Sequence, residues 1–152
     1  MAVRPIVKHP DPILRKVCET VDFTSDADKQ CLVDLIDTIN SMGRNALGIS
    51  APQIGYAKRA FVVRLGGKVA LSVNPTVESM STETEVMGEG CLSFPWLNGI
   101  KIARPCRIEG YQWTSQGKPL RFALEGMEAR VFLHEFDHIN GVTIDTHRRA
   151  GK

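Results

Sequence analysis

The spacing of apolar residues changes along the chain, and each change marks a change of secondary structure. Between Ser25 and Gly43 apolar residues recur every three or four positions, which is the spacing of one face of an α-helix. The residues on this face are Ala27, Cys31, Leu35, Ile36, Ile39 and Met42. Ser25 can cap the start of the helix and Gly43 can end it. We therefore predict a first helix that packs this face into the core.

From residue 46 to about residue 125, short β-rich runs replace the helical pattern. The runs are Arg59–Leu65, Val69–Val73, Ile100–Ala103, Arg107–Trp113 and Leu120–Leu124. Turn-forming residues separate them at Gly66-Gly67, Asn74-Pro75, Pro105 and Gly117. This alternation of runs and breaks is typical of antiparallel hairpins.

A second helical pattern covers about residues 126–140, and Gly141 can end it. Met127, Val131, His134 and His138 share one face, at offsets of 4, 7 and 11. Because the histidines lie among apolar residues, we expect this face to be buried. The chain is therefore predicted to be α+β, with mostly antiparallel β-sheets surrounding a central helix.

The composition indicates one domain without a strong charge bias. The chain has 152 residues, 43% of them hydrophobic, with 19 Lys and Arg against 17 Asp and Glu. We expect a single domain over residues 1–152 and no nucleic-acid specificity. No C-x-x-C pair, signal peptide or membrane-length apolar run is found in the sequence. These features predict a cytoplasmic protein without a membrane partner.

The second helix carries the motif H-E-x-x-H at residues 134–138. A spacing of four residues places both imidazoles on one helix face, where they can bind one metal ion. Glu135 lies one position round the helix and can reach a water molecule on that metal. Two buried, hydrogen-bonded histidines are the plain structural alternative. A catalytic site would also need a third protein ligand and an open position.

We expect the third ligand upstream of the motif. No Glu follows His138, which excludes a thermolysin-like site, and the longer H-E-x-x-H motif would need a histidine where Ile144 stands. His147 remains a candidate, but Cys91 is the best one, since the preceding Gly90 allows close approach of the backbone. The remaining cysteines, which we interpret as small buried hydrophobic residues, are Cys18, Cys31 and Cys106.

Three longer motifs occur in order along the chain. E-G-C-L-S occupies residues 89–93, and H-E-x-D-H-L-x-G corresponds to residues 134–141 with Ile139 in place of Leu. A glycine-rich G-apolar-G-apolar-A-A-x-Q corresponds to residues 46–53. In these motifs the sequence resembles the peptide deformylase family across nearly its whole length. Ala46 and Ser50 depart from the family pattern, and we expect both to affect the substrate groove.

The resemblance implies a metal-dependent hydrolase that removes the N-terminal formyl group from formyl-methionyl nascent peptides and releases formate. It implies one divalent metal ion bound by Cys91, His134 and His138. The family's metal is typically Fe(II), and Zn, Ni or Co fit the same ligands. The implied partners are the N-formylmethionyl peptide and, transiently, the ribosome.

The resemblance also implies catalytic roles for three residues. Glu135 would take a proton from water and pass it to the departing amine. The Gln53 side-chain amide and the Leu92 backbone N–H would donate hydrogen bonds to the formyl oxygen as it becomes negative. Asp137 is expected to support the site by pairing with Arg104, with a plain surface salt bridge as the alternative.

The resemblance further implies that the substrate is bound by Leu47, Gly48, Arg130 and Val131. The strand at Gly48 would pair with the peptide backbone. Met127, Val131 and the aliphatic stem of Arg130 would shape a pocket for the methionine side chain. The last 11 residues, 142–152, are expected to be too short for a stable helix of their own.

Two other functions fit parts of the sequence. A zinc endopeptidase would use H-E-x-x-H on a peptide bond, but it needs a third His or Glu after the helix and leaves Cys91 without a purpose. A deformylase-like binding or structural protein would have lost Glu135, Gln53 or a metal ligand, and none of these is lost.

Overall fold

The computed structural model describes residues 3–150, and for residues 148–150 the backbone only. Residues 1, 2, 151 and 152 of the predicted domain lie outside the described residues. The helices are α1 (Asp26–Met42), α2 (Gly126–Ile139) and α3 (Ile144–Ala150). The strands are β1 (Gly48–Ser50), β2 (Ala60–Leu65), β3 (Lys68–Met80), β4 (Thr84–Glu89), β5 (Ile100–Pro105), β6 (Arg107–Trp113) and β7 (Pro119–Glu125).

Helix α1 forms where the first apolar spacing predicts it. The Ser25 side chain accepts a hydrogen bond from the backbone N–H three residues on, at 3.2 Å. Gly43 ends the helix with a φ of 55°, a left-handed conformation that glycine adopts without strain. The predicted face is buried at Cys31, Leu35 and Ile39, whereas Ala27 at its start is exposed.

Five strands form one antiparallel sheet in the order β1-β2-β3-β6-β7. Strands β4 and β5 form a separate antiparallel pair. The predicted α+β class with mostly antiparallel sheets is therefore confirmed. The separate β4–β5 pair matters most for the site, because the chain leaves β4 directly into the E-G-C-L-S motif.

The predicted break at Asn74-Pro75 is wrong, because β3 runs through both residues. The pairing of β3 with β6 shifts register between Val73 and Thr76, and Asn74 has a φ of 48°. Proline has no N–H to give to a neighbouring strand, and a bulge is where a strand tolerates that loss. A proline in the sequence therefore marked an irregular pairing rather than the end of a strand.

Aromatic contacts fix the orientation of α2 on the large sheet. The Phe132 ring meets the Phe61 ring of β2 edge-on, with centroids 4.9 Å apart, and the Phe122 ring of β7 at 4.6 Å. Phe132 and Phe61 are buried. The β4–β5 pair flanks the same helix, so α2 is the central helix that the sequence predicted.

The residues after Gly141 are expected to be too short for a stable helix of their own, and the helix that they do form is packed against the N-terminal segment. Helix α3 begins at Ile144, which is buried in a cluster with Leu14. Arg15 Nη2 forms an ion pair with Asp145 Oδ2 at 2.5 Å. The length limit applies to isolated helices, and these contacts with the chain's N-terminal segment stabilise a shorter one. None of the helices described within residues 3–150 is both long and apolar enough to cross a membrane.

Candidate metal centre and substrate cleft

The helical repeat of α2 brings the two histidines of the motif together. The rings of His134 and His138 have centroids 5.2 Å apart. His138 is 1% exposed and the His134 side chain is 12% exposed. Residues four apart on a helix are neighbours, so this pairing follows directly from the sequence spacing.

Cys91 lies two residues beyond the end of β4, and the β4–β5 pair carries it to the histidines. Its Sγ is 3.3 Å from His138 Nε2. The candidate ligand atoms of Cys91, His134 and His138 all lie within 4.8 Å of one another. One thiol and two imidazoles are donors that suit zinc and ferrous iron. The structure therefore brings the three predicted ligands to one place.

The alternative ligands lie elsewhere or are occupied. His147 Nε2 is 3.0 Å from Asp137 Oδ2, and His147 is not part of the cluster. Cys18 and Cys31 are buried, and burial raises their pKa values to about 11 and about 12, respectively. The interpretation of these two as buried hydrophobic residues is confirmed, whereas Cys106 is only partly buried.

Glu89, the last residue of β4, is a functional residue that the sequence reasoning missed. Its Oε1 is 2.9 Å from His134 Nδ1, which leaves the other ring nitrogen available to a metal. A carboxylate on the second nitrogen is the usual support of a metal-binding histidine. The signal was present in the E-G-C-L-S motif, where Glu89 stands two residues before Cys91.

Two buried arginines hold Glu89. Arg104 donates to it through Nε and Nη2 at 2.7 and 2.9 Å, and Arg130 Nη1 donates at 2.6 Å. Burial alone would raise the pKa of Glu89, but hydrogen bonds from Arg104 and His134 lower it, so the carboxylate stays ionised. Arg104 Nη1 also donates to Asp137 Oδ2 at 2.9 Å, so the predicted Arg104–Asp137 pair is confirmed.

The electrostatics of the two histidines favour a cation between them and Cys91. Burial lowers the pKa of His138 well below its usual range, which keeps the ring neutral and able to bind a metal. Burial also opposes a charge on His134, but its hydrogen bonds with Cys91 and Glu89 outweigh burial and raise its pKa to about 10. The groups that favour a proton at this ring favour a metal cation for the same reason, so the donor set fits a metal ion.

Glu135 lies beside the ligands with its carboxyl group buried. It is 3% exposed, and its Oε1 has no hydrogen-bond partner within the described part of the chain. Burial raises the pKa of Glu135 to about 7, against the opposing charges of His134 and Arg104. A carboxyl group with a pKa near neutrality can both take and return a proton.

Gly48 leaves the space that the Glu135 carboxyl group occupies. A Cβ atom at position 48 would lie 2.6 Å from Glu135 Oε2, which is closer than real contacts allow. The φ of Gly48 is not in the left-handed region, so backbone conformation does not explain the glycine. The position of the Glu135 carboxyl group therefore requires a glycine at position 48, independently of the predicted contact between Gly48 and the substrate backbone.

A chain of neutral hydrogen bonds orients the Gln53 side chain. Its Oε1 accepts from the backbone N–H and the hydroxyl of Ser50, at 2.9 and 3.1 Å. Its Nε2 donates to Ser93 Oγ at 3.1 Å and lies 3.6 Å from Cys91 Sγ. Ser93 in turn donates to the Val7 carbonyl oxygen at 2.7 Å. Because Ser50 donates both hydrogen bonds to Oε1, the N–H end of the amide points toward Cys91.

A cleft of about 470 Å³ opens beside these groups. The predicted substrate-binding residues that line it are Leu47, Gly48, Met127, Arg130 and Val131. Also lining it are Gln53, Cys91, Leu92, His134 and Glu135, and so does Ala46, one of the two departures from the family pattern. Ser50, the other departure, is fully buried and does not itself line the cleft, but it holds Gln53, which does. Its effect on the groove stays a prediction, and any such effect would act through Gln53.

Comparison with known proteins gives one consistent result. The sequence profile described as polypeptide deformylase matches residues 3–152. A peptide deformylase of Thermotoga sp. (strain RQ2) is 40% identical over 88% of this chain and 80% of that protein. The crystal structure of peptide deformylase from Thermotoga maritima superposes with a TM-score of 0.87 at 37% identity, covering 95% of this chain and 96% of that one. A Met-Ala-Ser-bound peptide deformylase of Acinetobacter baumannii superposes with a TM-score of 0.85 at 28% identity, covering 95% and 98%.

Proposed function

Since the chain belongs to the peptide deformylase family, we propose that its reaction centre is one metal ion held by Cys91, His134 and His138. The enzyme removes the formyl group from the N-terminus of nascent peptides, and enzymes of this family depend on a metal. The proposal is supported by the three donors lying within 4.8 Å of one another and by the carboxylate behind His134. The convergence of donors from the segment after β4 and from α2 is the observation that carries the proposal.

We assign Fe(II) as the native metal, with Zn, Ni and Co as ions that the same donors accept. When bound, such an ion lowers the pKa of a water molecule and polarises the formyl carbonyl group. Cys91 contributes a soft sulfur donor and the two imidazoles contribute nitrogen donors. The three protein donors leave room for a further ligand, as catalytic sites require and structural zinc sites do not.

Glu135 carries the proton in this proposal. It accepts a proton from the attacking water and delivers it to the amine nitrogen as the bond between that nitrogen and the formyl carbon breaks. The oxygen of the water ends in formate, and the peptide leaves with a free amino group. The buried position of Glu135 and its pKa of about 7 support both halves of this transfer.

Gln53 and Leu92 stabilise the negative charge that develops on the formyl oxygen. The Gln53 amide is held by Ser50 so that its Nε2 points toward Cys91, and Leu92 follows Cys91 directly in the chain. Donors that are fixed before the reaction need no reorientation during it. Because both donors are neutral, they would stabilise the oxyanion without adding a second charge beside the metal ion.

The cleft residues bind the peptide. Leu47 and the first residue of β1, Gly48, face the substrate backbone, and Val131, Met127 and the stem of Arg130 surround the methionine side chain. Met127 and Leu47 are about half exposed, at 51% and 54%, which suits residues that are covered only when a peptide binds. The Met-Ala-Ser peptide bound to the Acinetobacter baumannii relative supports a substrate of this kind.

The substrate is the N-formylmethionyl end of a new polypeptide, and we infer that the enzyme meets it in the cytoplasm during transient contact with the ribosome. All four cysteines are free thiols, which suits a reducing compartment. Fractionation of cells and co-sedimentation with ribosomes at physiological salt test these two assignments separately.

The test of the reaction is release of formate from a formyl-Met peptide by protein purified anaerobically with iron. Glu135→Gln is expected to lower kcat by about 10²- to 10⁴-fold while the metal content stays unchanged. Glu128→Gln, an exposed change on the same helix, is the matched control and should leave kcat unaltered. Full formate release by Glu135→Gln would contradict the mechanism, and cleavage of an unformylated peptide would favour an endopeptidase.

A further inference from the structure

We propose that Arg130 is a positioning residue that fastens the β4–β5 pair to α2 and so keeps Cys91 within reach of the two histidines. The inference rests on the proposed metal centre. The motifs and the ligand cluster do not explain what keeps the β4–β5 pair at a fixed position relative to α2, and Arg130 supplies that contact.

The metal ligands come from two parts of the fold that are far apart in the sequence, the segment after β4 and helix α2. Cys91 follows β4, whereas both histidines stand on α2, more than 40 residues later. Strand β4 is paired with β5 only, and this pair is separate from the five-stranded sheet in the described structure. A small shift of the pair against α2 would move the sulfur away from the rings.

The Arg130 guanidinium links α2 to the β4–β5 pair by three hydrogen bonds. Arg130 stands on α2 one turn before His134, and it is 6% exposed. Its Nη2 donates to the Glu85 carbonyl oxygen of β4 at 2.6 Å. Its Nη1 donates to the Ile102 carbonyl oxygen of β5 at 3.0 Å and to Glu89 Oε2 at 2.6 Å. One side chain of the helix therefore holds both ends of β4 and the middle of β5.

Arginine suits these three hydrogen bonds better than lysine does. Two of the acceptors are backbone carbonyl groups of a two-stranded pair, and buried carbonyl groups need donors. A guanidinium carries five N–H donors in a rigid plane, so it can serve separated acceptors at once. Lysine would bring the same charge as a single point and could not span them. Arg130 also lines the cleft, and its three hydrogen bonds do not conflict with that position.

The experiment measures Co²⁺ binding to metal-free protein by competition with a chelator, following the thiolate-to-cobalt absorption band. Arg130→Met keeps the stem and removes the donors, Arg130→Lys keeps the charge, and Arg121→Met is the control on an arginine side chain that is 75% exposed. We expect Co²⁺ affinity to fall about 10- to 100-fold in Arg130→Met, the usual cost of losing a supporting group. The loss should be smaller in Arg130→Lys and absent in Arg121→Met.

Hydrogen exchange supplies a second readout that does not involve catalysis. Amides of residues 84–89 and 100–105 should exchange faster in Arg130→Met, while those of α1 stay unchanged. Co²⁺ affinity within twofold of wild type together with unchanged exchange would overturn the proposal. If Arg130→Met fails to fold, Arg130→Lys is judged by the same two criteria.

The outcome separates this inference from the proposed function. Wild-type protein that shows the thiolate–cobalt band but releases no formate would refute the function, and the Arg130 variants would still decide the positioning role. Wild-type protein without that band would overturn both, since Cys91 would then not bind the metal.

Discussion

The two sides of the cleft hold their functional groups by different means. The charged side consists of Glu89, Arg104, Arg130 and His134, which are linked by ion pairs and charge-assisted hydrogen bonds. The amide side consists of Ser50, Gln53 and Ser93, which are linked by neutral hydrogen bonds only. The first supports a ligand of a cation, and the second aims a donor at a developing anion.

This difference follows from what each side must do. A carboxylate behind an imidazole increases its attraction for a metal, and arginines keep that carboxylate ionised in a buried place. A carboxylate on the other side would bind the metal and a cation would repel it, whereas a neutral amide donates a hydrogen bond to the oxyanion without either effect. We therefore expect damage to the charged side to weaken metal binding and damage to the amide side to slow the reaction with the metal in place.

Gln53→Ala should give the largest effect among these tests. Removing one preorganised oxyanion donor lowers kcat by about 10²- to 10³-fold, and the metal content should not change. Steady-state formate release and metal analysis measure the two quantities. Gln116→Ala, an exposed residue in the β6–β7 turn, is the control. Loss of metal in Gln53→Ala would break the division between the sides.

Gly48→Ala tests the space between the two sides. The added methyl group would lie 2.6 Å from Glu135 Oε2 and must displace the carboxyl group. A misplacement of about 1 Å can cost roughly 10²-fold, so kcat should fall by about that factor while Co²⁺ affinity stays near wild type. An unchanged kcat would show that Glu135 does not need its observed position.

Glu89→Gln tests the charged side. We expect metal affinity to fall about 10- to 100-fold, because the imidazole of His134 loses its carboxylate partner. Removing one partner of a buried ion pair also costs about 3–5 kcal/mol, which urea denaturation of the metal-free protein would measure. Glu78→Gln, at a surface salt bridge with Arg121, is the matched control. Normal metal affinity in Glu89→Gln would contradict the assigned role.

Ser50→Ala should give the smallest effect. It removes one of two hydrogen bonds to Gln53 Oε1, a loss of about 0.5–1.5 kcal/mol, so kcat should fall about 2- to 10-fold with KM unchanged. Ser115→Ala, on an exposed turn, is the control. A changed KM with a normal kcat would show that Ser50 affects substrate binding in the groove rather than the orientation of Gln53.

The sequence predicted best where contacts are local. The spacing of four between His134 and His138 and the capping of α1 by Ser25 depend only on the helical repeat, and both are seen. Strand β1 was not predicted because it is only three residues long, too short for an alternating pattern. Strand β4 was missed because its pairing with β5, not its own composition, makes it a strand.

The contacts that organise the site span long distances along the chain, and sequence spacing does not report them. Arg130 and Glu89 are 41 residues apart, and Ser93 reaches Val7 across 86. The effect of Ser50 on the groove was predicted from its place in the motif at residues 46–53. In the structure its hydroxyl is buried and donates to Gln53 Oε1. Helix α3 was missed for the same reason, since Leu14 and Arg15, near the other end of the chain, contact it.

X-ray absorption of the zinc- or iron-loaded protein counts the sulfur and nitrogen atoms bound to the metal and so tests the proposed ligand set. We expect one sulfur and two imidazole nitrogens, with the sulfur lost in Cys91→Ala. A metal bound without sulfur, or a spectrum unchanged in Cys91→Ala, would contradict the claim that Cys91, His134 and His138 hold one ion.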